Sequence, residues 1–173
     1  MTDIENVFCG CDVHDEHAPL LLTTGKVQGR IFRYQMVYRD YPAFAFAGFN
    51  NKQTVAMIRK AMANMSNISG AKFVEVNKNP QIRFYFMKNI YRNAIAAYMG
   101  SGKVYLSQVR KVTEVVVNAS VQHEVGHYFG IKGRPAADGW GHCGVKTCIM
   151  NINGNGTSWC ANCKGQMIAK YGK

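Results

Sequence analysis

His123, Glu124 and His127 stand in the pattern HExxH. On a helix, positions i and i+4 share a face. Two imidazoles can then reach one ion while the glutamate beside them holds a water. The chemistry of this pattern is hydrolysis. Histidines fix Zn²⁺, and the ion lowers the pKa of its water and polarises a carbonyl. The glutamate takes the water's proton and delivers it to a leaving amine. Further on, four residues separate Cys143 from Cys148, and two separate Cys160 from Cys163. Four thiolates in two close pairs suit a tetrahedral structural zinc. All six cysteines and all five histidines lie within residues 1–17 or 123–163. Such clustering is itself a metal-site signal, because in a reducing interior close cysteine pairs are ligands more often than disulfides.

These residues need a scaffold, and the pattern of side chains supplies one. RIFRYQMVYR (30–39) reads as a strand. Asn50 is a candidate cap, and Val55, Ile58, Met62 and Met65 then mark one face of a helix over about 51–66. KFVEV (72–76) and QIRFYFMK (81–88) read as strands; NAIAAYM (93–99), GSG and KVYLSQV (103–109) read as a hairpin. A second helix over roughly 112–129 carries the HExxH, with Val115, Val116, Ala119 and Val125 expected to bury it. A short helix is expected at 164–171. The expected fold is α/β (α+β): a five-stranded sheet, two long helices and an irregular cysteine-rich tail. The 43 residues after Gly130 are too few and too polar for a second core, so a metal is the expected staple. Three regions result: an acidic arm at 1–20, an upper part at 21–130 and a lower part at 131–173, in one compact domain.

The 173 residues carry a formal charge of +11, unevenly spread. Residues 1–16 hold five acidic side chains and no Lys or Arg, while the remaining 157 hold 21 basic and 5 acidic residues. The basic body suggests an acidic partner, such as nucleic acid or an anionic surface, although its charges are scattered. The longest apolar runs are too short to span a membrane. The N-terminal residues have no basic head and no apolar stretch, so the expectation is no secretory signal and an intracellular (cytoplasmic) setting, or a particle assembled inside a cell.

The stretch 123–163 resembles the archaemetzincins, a branch of the metzincin zinc peptidases. Their signature is HExxHxxGxxHC, four residues, Cys, one residue, Met, and a later CxxC. His123, Glu124, His127 and Gly130 match its first half, His142, Cys143, Cys148 and Met150 its second, and Cys160 and Cys163 the closing pair. The resemblance implies a twisted mixed sheet of metzincin type, with strand 93–99 as the antiparallel edge on which an extended substrate lies. It implies His142 as third zinc ligand, Met150 as the Met-turn residue beneath the metal, and Glu124 as catalytic residue. Two zinc ions follow, one catalytic and one held by Cys143, Cys148, Cys160 and Cys163.

The chain departs from the signature in one place. The family has two residues between the glycine and the third histidine, whereas here eleven intervene, residues 131–141. Position 133, where the ligand would fall, is Gly. Asp138 is the rival ligand, since a carboxylate can also take the third position. The inserted loop is expected near the cleft, where it shapes or restricts access. In the acidic arm, Cys9-Gly10 followed by Asp12 is similar to the cysteine switch of other metzincins. Cys9 and Cys11, near His14 and His17, are therefore candidates for latency or an extra metal site, against a plain surface arm. The expected function is a zinc endopeptidase or aminopeptidase acting on a peptide or protein. The alternative is a non-catalytic or latent zinc module that binds an acidic partner through its basic surface. The latency reading predicts faster peptide cleavage after deletion of residues 1–17, measured on the folded truncated protein.

Overall fold

The computed structural model describes residues 30–37, 51–87, 90, 94–107, 112–133, 136–153 and 156–172. The acidic arm with Cys9, Cys11, His14 and His17, and the Asn50 cap, lie outside them. Eight elements follow in order: β1 (Ile31–Val37), α1 (Asn51–Ser69), β2 (Lys72–Glu75), β3 (Ile82–Met87), β4 (Ala96–Tyr98), β5 (Lys103–Ser107), α2 (Glu114–Tyr128) and α3 (Ala161–Tyr171). The sheet order is β2-β1-β3-β5-β4. Pairs β1/β2, β1/β3 and β3/β5 are parallel, and β4 pairs antiparallel with β5 at the edge. The expected five-stranded mixed sheet and its antiparallel edge strand are both present.

The strands form because their side chains alternate. Phe32, Tyr34 and Met36 on β1, Ile82, Phe84 and Phe86 on β3, and Val104 and Leu106 on β5 are buried, and the residues between them are more exposed. This period of two puts one apolar face against the helices. The β4–β5 hairpin turns through Gly100, Ser101 and Gly102, all with positive φ (75°, 47° and 75°). Two of the three are the residue that takes this conformation without steric cost.

Helix α1 runs to Ser69, past the expected end, and presents Ile58, Met62 and Met65 to the core. Helix α2 is different. Thr113 caps it, accepting from the Val116 amide at 3.4 Å. Residues 121–126 are then buried without a break, because α1, β4 and the tail pack around this turn of helix. Only the first turn faces solvent, so Val115 is exposed and does not help to bury the helix as expected.

Helix α3 starts three residues before its expected start, with Cys160 as its N-cap and Cys163 in its first turn. Its far end is pinned by Tyr171, whose hydroxyl donates to the Phe129 carbonyl at 3.0 Å. The Tyr171 ring lies 4.5 Å from Phe129 and 5.5 Å from Phe32, centroid to centroid. One hydrophobic cluster therefore runs from the sheet through α2 into the tail. Among the described residues, no helix is long and apolar enough to cross a membrane. Tyr171→Ala should cost about 3–5 kcal/mol by large-to-small truncation. Tyr171→Phe should cost about 1 kcal/mol, the worth of the single hydrogen bond. Urea unfolding of both variants separates the two contributions.

Candidate metal centre

Three imidazoles converge where α2 meets the tail. His123 and His127 come from successive turns of α2, and His142 from the tail. One ligand atom from each lies within 4.8 Å of the others, and the ring centroids are 4.7–5.3 Å apart. The Nε2 atoms of His123 and His127 face each other at 3.0 Å. Two ligands on one tetrahedral zinc stand roughly 3.3 Å apart when each bond is about 2.0 Å, so the spacing is near what one ion requires.

The other ring nitrogens explain why Nε2 faces inward. His123 Nδ1 lies 2.6 Å from the Ile149 carbonyl oxygen, and His142 Nδ1 lies 2.5 Å from Asp138 Oδ2. A carbonyl and a carboxylate can only accept, so each Nδ1 carries a proton, and in the neutral ring Nε2 then keeps its lone pair. His142 Nε2 is buried and has no hydrogen-bond partner among the described residues. An orphaned buried acceptor is costly, and a metal ion would satisfy it. Burial also holds His123 and His127 neutral: it lowers His123 to about 4 and His127 well below the usual imidazole range, helped by the neighbouring histidines. Neutral imidazole is the form that binds metal. The donor set fits zinc.

Glu124 points to the opposite partner. Its side chain is buried, and Oε2 accepts from the Tyr98 backbone N–H of β4 at 2.7 Å. Burial pushes its carboxyl up to about 8, against the lowering effect of that bond. A cation beside it would bring it down. The glutamate is thereby fixed between the histidine helix and the sheet edge.

Asp138, the rival ligand, is not among the converging atoms. Oδ2 accepts from the His142 ring, and Oδ1 accepts from the amides of Trp140 at 2.9 Å and His142 at 3.2 Å. The inserted segment closes on itself. Gly133 N–H donates to the Gly141 carbonyl at 3.0 Å, and Ala137 N–H to the His142 carbonyl at 3.0 Å. A Cβ on Gly133 would lie 2.4 Å from the Cys143 Cα, so only glycine lets the two ends of the loop touch. The loop leaves and returns at one place, and His142 arrives where position 133 stands.

The second cluster joins the first through the backbone. The sulfurs of Cys143, Cys148, Cys160 and Cys163 lie within 4.8 Å of one another, and none is in a disulfide. Cys143 follows His142, and Cys148 precedes Ile149, whose carbonyl holds His123. Hydrogen bonding from Cys163 lowers the Cys148 thiol to about 5 and raises Cys163. One thiolate is thus stabilised by its neighbours; four together need a cation. Cys143 N–H donates to the Met150 carbonyl at 2.6 Å, and Asn151 Nδ2 to the Cys143 carbonyl at 3.1 Å. Met150 is fully buried and rests on Gly126, between the two helix histidines.

Sequence reasoning missed the Ile149 carbonyl, the Tyr98 amide and Asn151. The first two are backbone groups, which every residue carries. It also missed Trp159, whose indole N–H donates to Gln122 Oε1 at 2.9 Å and ties the tail to α2. Its type and its place next to Cys160 were the available signal.

A Cβ at Gly126 would meet Met150 Sδ at 2.4 Å and the Trp159 ring at 3.0 Å. Gly126→Ala gains about 1 kcal/mol of helix propensity but overpacks a closed site at about 1–3 kcal/mol. A net loss of up to about 2 kcal/mol is expected in urea unfolding of the metal-free protein.

No protein-family model and no curated protein matches the sequence. Among solved structures, the chain is similar to a crystal structure of myroilysin, with a TM-score of 0.63, 13% identity, and coverage of 98% of this chain and 93% of that one. A second structure of myroilysin gives a TM-score of 0.58 at 14% identity, covering 83% and 80%. A zinc-dependent peptidase from Methanocorpusculum labreanum (strain Z) gives 0.48 at 12% identity, covering 79% and 99%. Across nearly the whole of its length, the chain shares its fold with myroilysin.

Proposed function

We propose that the chain is a zinc-dependent metallopeptidase of metzincin type, related to the archaemetzincins. The observation that carries this reading is the convergence of His123, His127 and His142, with Glu124 beside them. His123, His127 and His142 would hold the catalytic zinc. Cys143, Cys148, Cys160 and Cys163 would hold a structural one, and Met150 would be the Met-turn residue under the histidines. Bound there, zinc supplies Lewis-acid chemistry: it acidifies a water and polarises a peptide carbonyl.

The rest of the reaction falls to the chain's own residues. Glu124 takes the water's proton and passes it to the leaving amine. The Tyr98 amide holds one carboxylate oxygen and so fixes the direction in which the other can reach. The substrate is a peptide in extended form, laid along β4, the antiparallel edge of the sheet. The endo- or aminopeptidase choice depends on how the inserted loop borders that edge. A non-catalytic module binding an acidic partner would need neither the buried Glu124 carboxylate nor its anchor.

Metal analysis with single substitutions tests the reading. The wild type should hold two zinc ions per chain, one for the four-thiol set and one for the three-imidazole set. His142→Ala should lose one, and Cys148→Ser the other together with much of the tail's stability. Glu124→Gln should keep both and lose at least about 10²–10⁴-fold in cleavage of an unfolded protein substrate. Undiminished cleavage by Glu124→Gln, or full zinc in His142→Ala, would overturn the proposal.

A further inference from the structure

The inserted loop does more than delay a ligand. Asp138 lies four residues before His142 and uses its two carboxylate oxygens differently. Oδ1 makes a local turn, accepting from the Trp140 and His142 amides at 2.9 and 3.2 Å. Oδ2 accepts from the His142 ring at Nδ1, 2.5 Å away. The His142 side chain is 6% exposed and that of Asp138 is 19% exposed. The ring has lost nearly all contact with water on the side that must choose a proton.

We infer that Asp138 is a positioning residue of the metal centre: it fixes the tautomer and orientation of the His142 ring so that Nε2 presents its lone pair to the metal. Two observations carry this. Nδ1 has a partner that can only accept, and Nε2 is buried with no hydrogen-bond partner among the described residues. A histidine free to choose its tautomer would place the proton on Nε2 in part of the molecules, and that form cannot bind. A ligating imidazole is commonly oriented by an acceptor on its other nitrogen. His123 has such an acceptor in the Ile149 carbonyl. For His142, the acceptor comes from within the residues that separate it from Gly130. The loop that displaces the ligand along the chain therefore carries the group that aims it. The inference rests on the reading that His142 holds the metal.

Asp138→Asn is the informative variant. Its one carbonyl oxygen can serve the loop amides or the ring, but not both, and with the loop kept the amide NH₂ faces Nδ1. The ring must then accept at Nδ1 and move its proton to Nε2. In the full-length metal-free wild type, a long-range ¹H–¹⁵N correlation spectrum should place the His142 proton on Nδ1. A proton on Nε2 there overturns the inference. In the zinc-loaded protein, Asp138→Asn should weaken the imidazole site about 10–100-fold in competition with a chelator. Affinity at the cysteine site should stay unchanged. Wild-type zinc affinity in Asp138→Asn overturns the inference. So does equal weakening of both sites, since Asp138 would then only hold the loop. His142→Ala separates the two ideas. If it also keeps that zinc, the ligand reading falls as well. If it loses the zinc while Asp138→Asn holds it at wild-type affinity, only the positioning role falls.

Discussion

The His123 ring donates to the Ile149 carbonyl at 2.6 Å, and at this bond the helical half and the cysteine half of the molecule meet. Ile149 lies between Cys148 and Met150. Its carbonyl direction is set by the thiol cluster on one side and by the buried methionine on the other. Cys143, on the paired segment, bonds Met150 through its amide and carries His142 as its neighbour. Two of the three imidazoles are thus oriented by a tail with no core of its own. Whatever organises the four sulfurs also organises the histidines. The two clusters are coupled through the backbone, with no side chain shared between them.

The sheet edge is bound into the same arrangement. An edge strand normally leaves outward amides for another chain. On β4, the Tyr98 amide is bonded instead to the Glu124 carboxylate. The buried acid gains a donor, and the three-residue edge strand is fastened to α2. That contact costs the glutamate its freedom.

Much of this was legible in the sequence because it depends on side-chain type and period. The alternation of Ile82, Phe84 and Phe86 showed a strand with one apolar face. The steps among Val55, Ile58, Met62 and Met65 showed α1. HExxH placed two imidazoles on one face, and the paired cysteines showed a four-sulfur cluster. What was not legible depends on the backbone or on distant parts of the chain. The Ile149 carbonyl and the Tyr98 amide have no residue signature. The sheet order, with β1 between β2 and β3, is a matter of tertiary packing. Asp138 was visible as a carboxylate near the site, but sequence spacing cannot show that its Oδ2 meets the His142 ring at Nδ1. Helix α3 starts earlier than the sequence suggests because Cys160, at the N-cap position, makes no side-chain capping bond and so carries no cap signal.

Gly133 gives the metal centre a tolerance that motif spacing conceals. A metal responds to where a nitrogen ends up, whereas a sequence pattern records how much chain was used to bring it there. Where the two ends of an excursion touch, as they do between Gly133 and Cys143, those quantities become independent. The chain between Gly133 and Asp138 can lengthen or shorten while His142 keeps its address. A protein built this way can change the length of an excursion and keep the residues at its return. It can also carry the full set of ligands while the spacing that usually reveals them is gone.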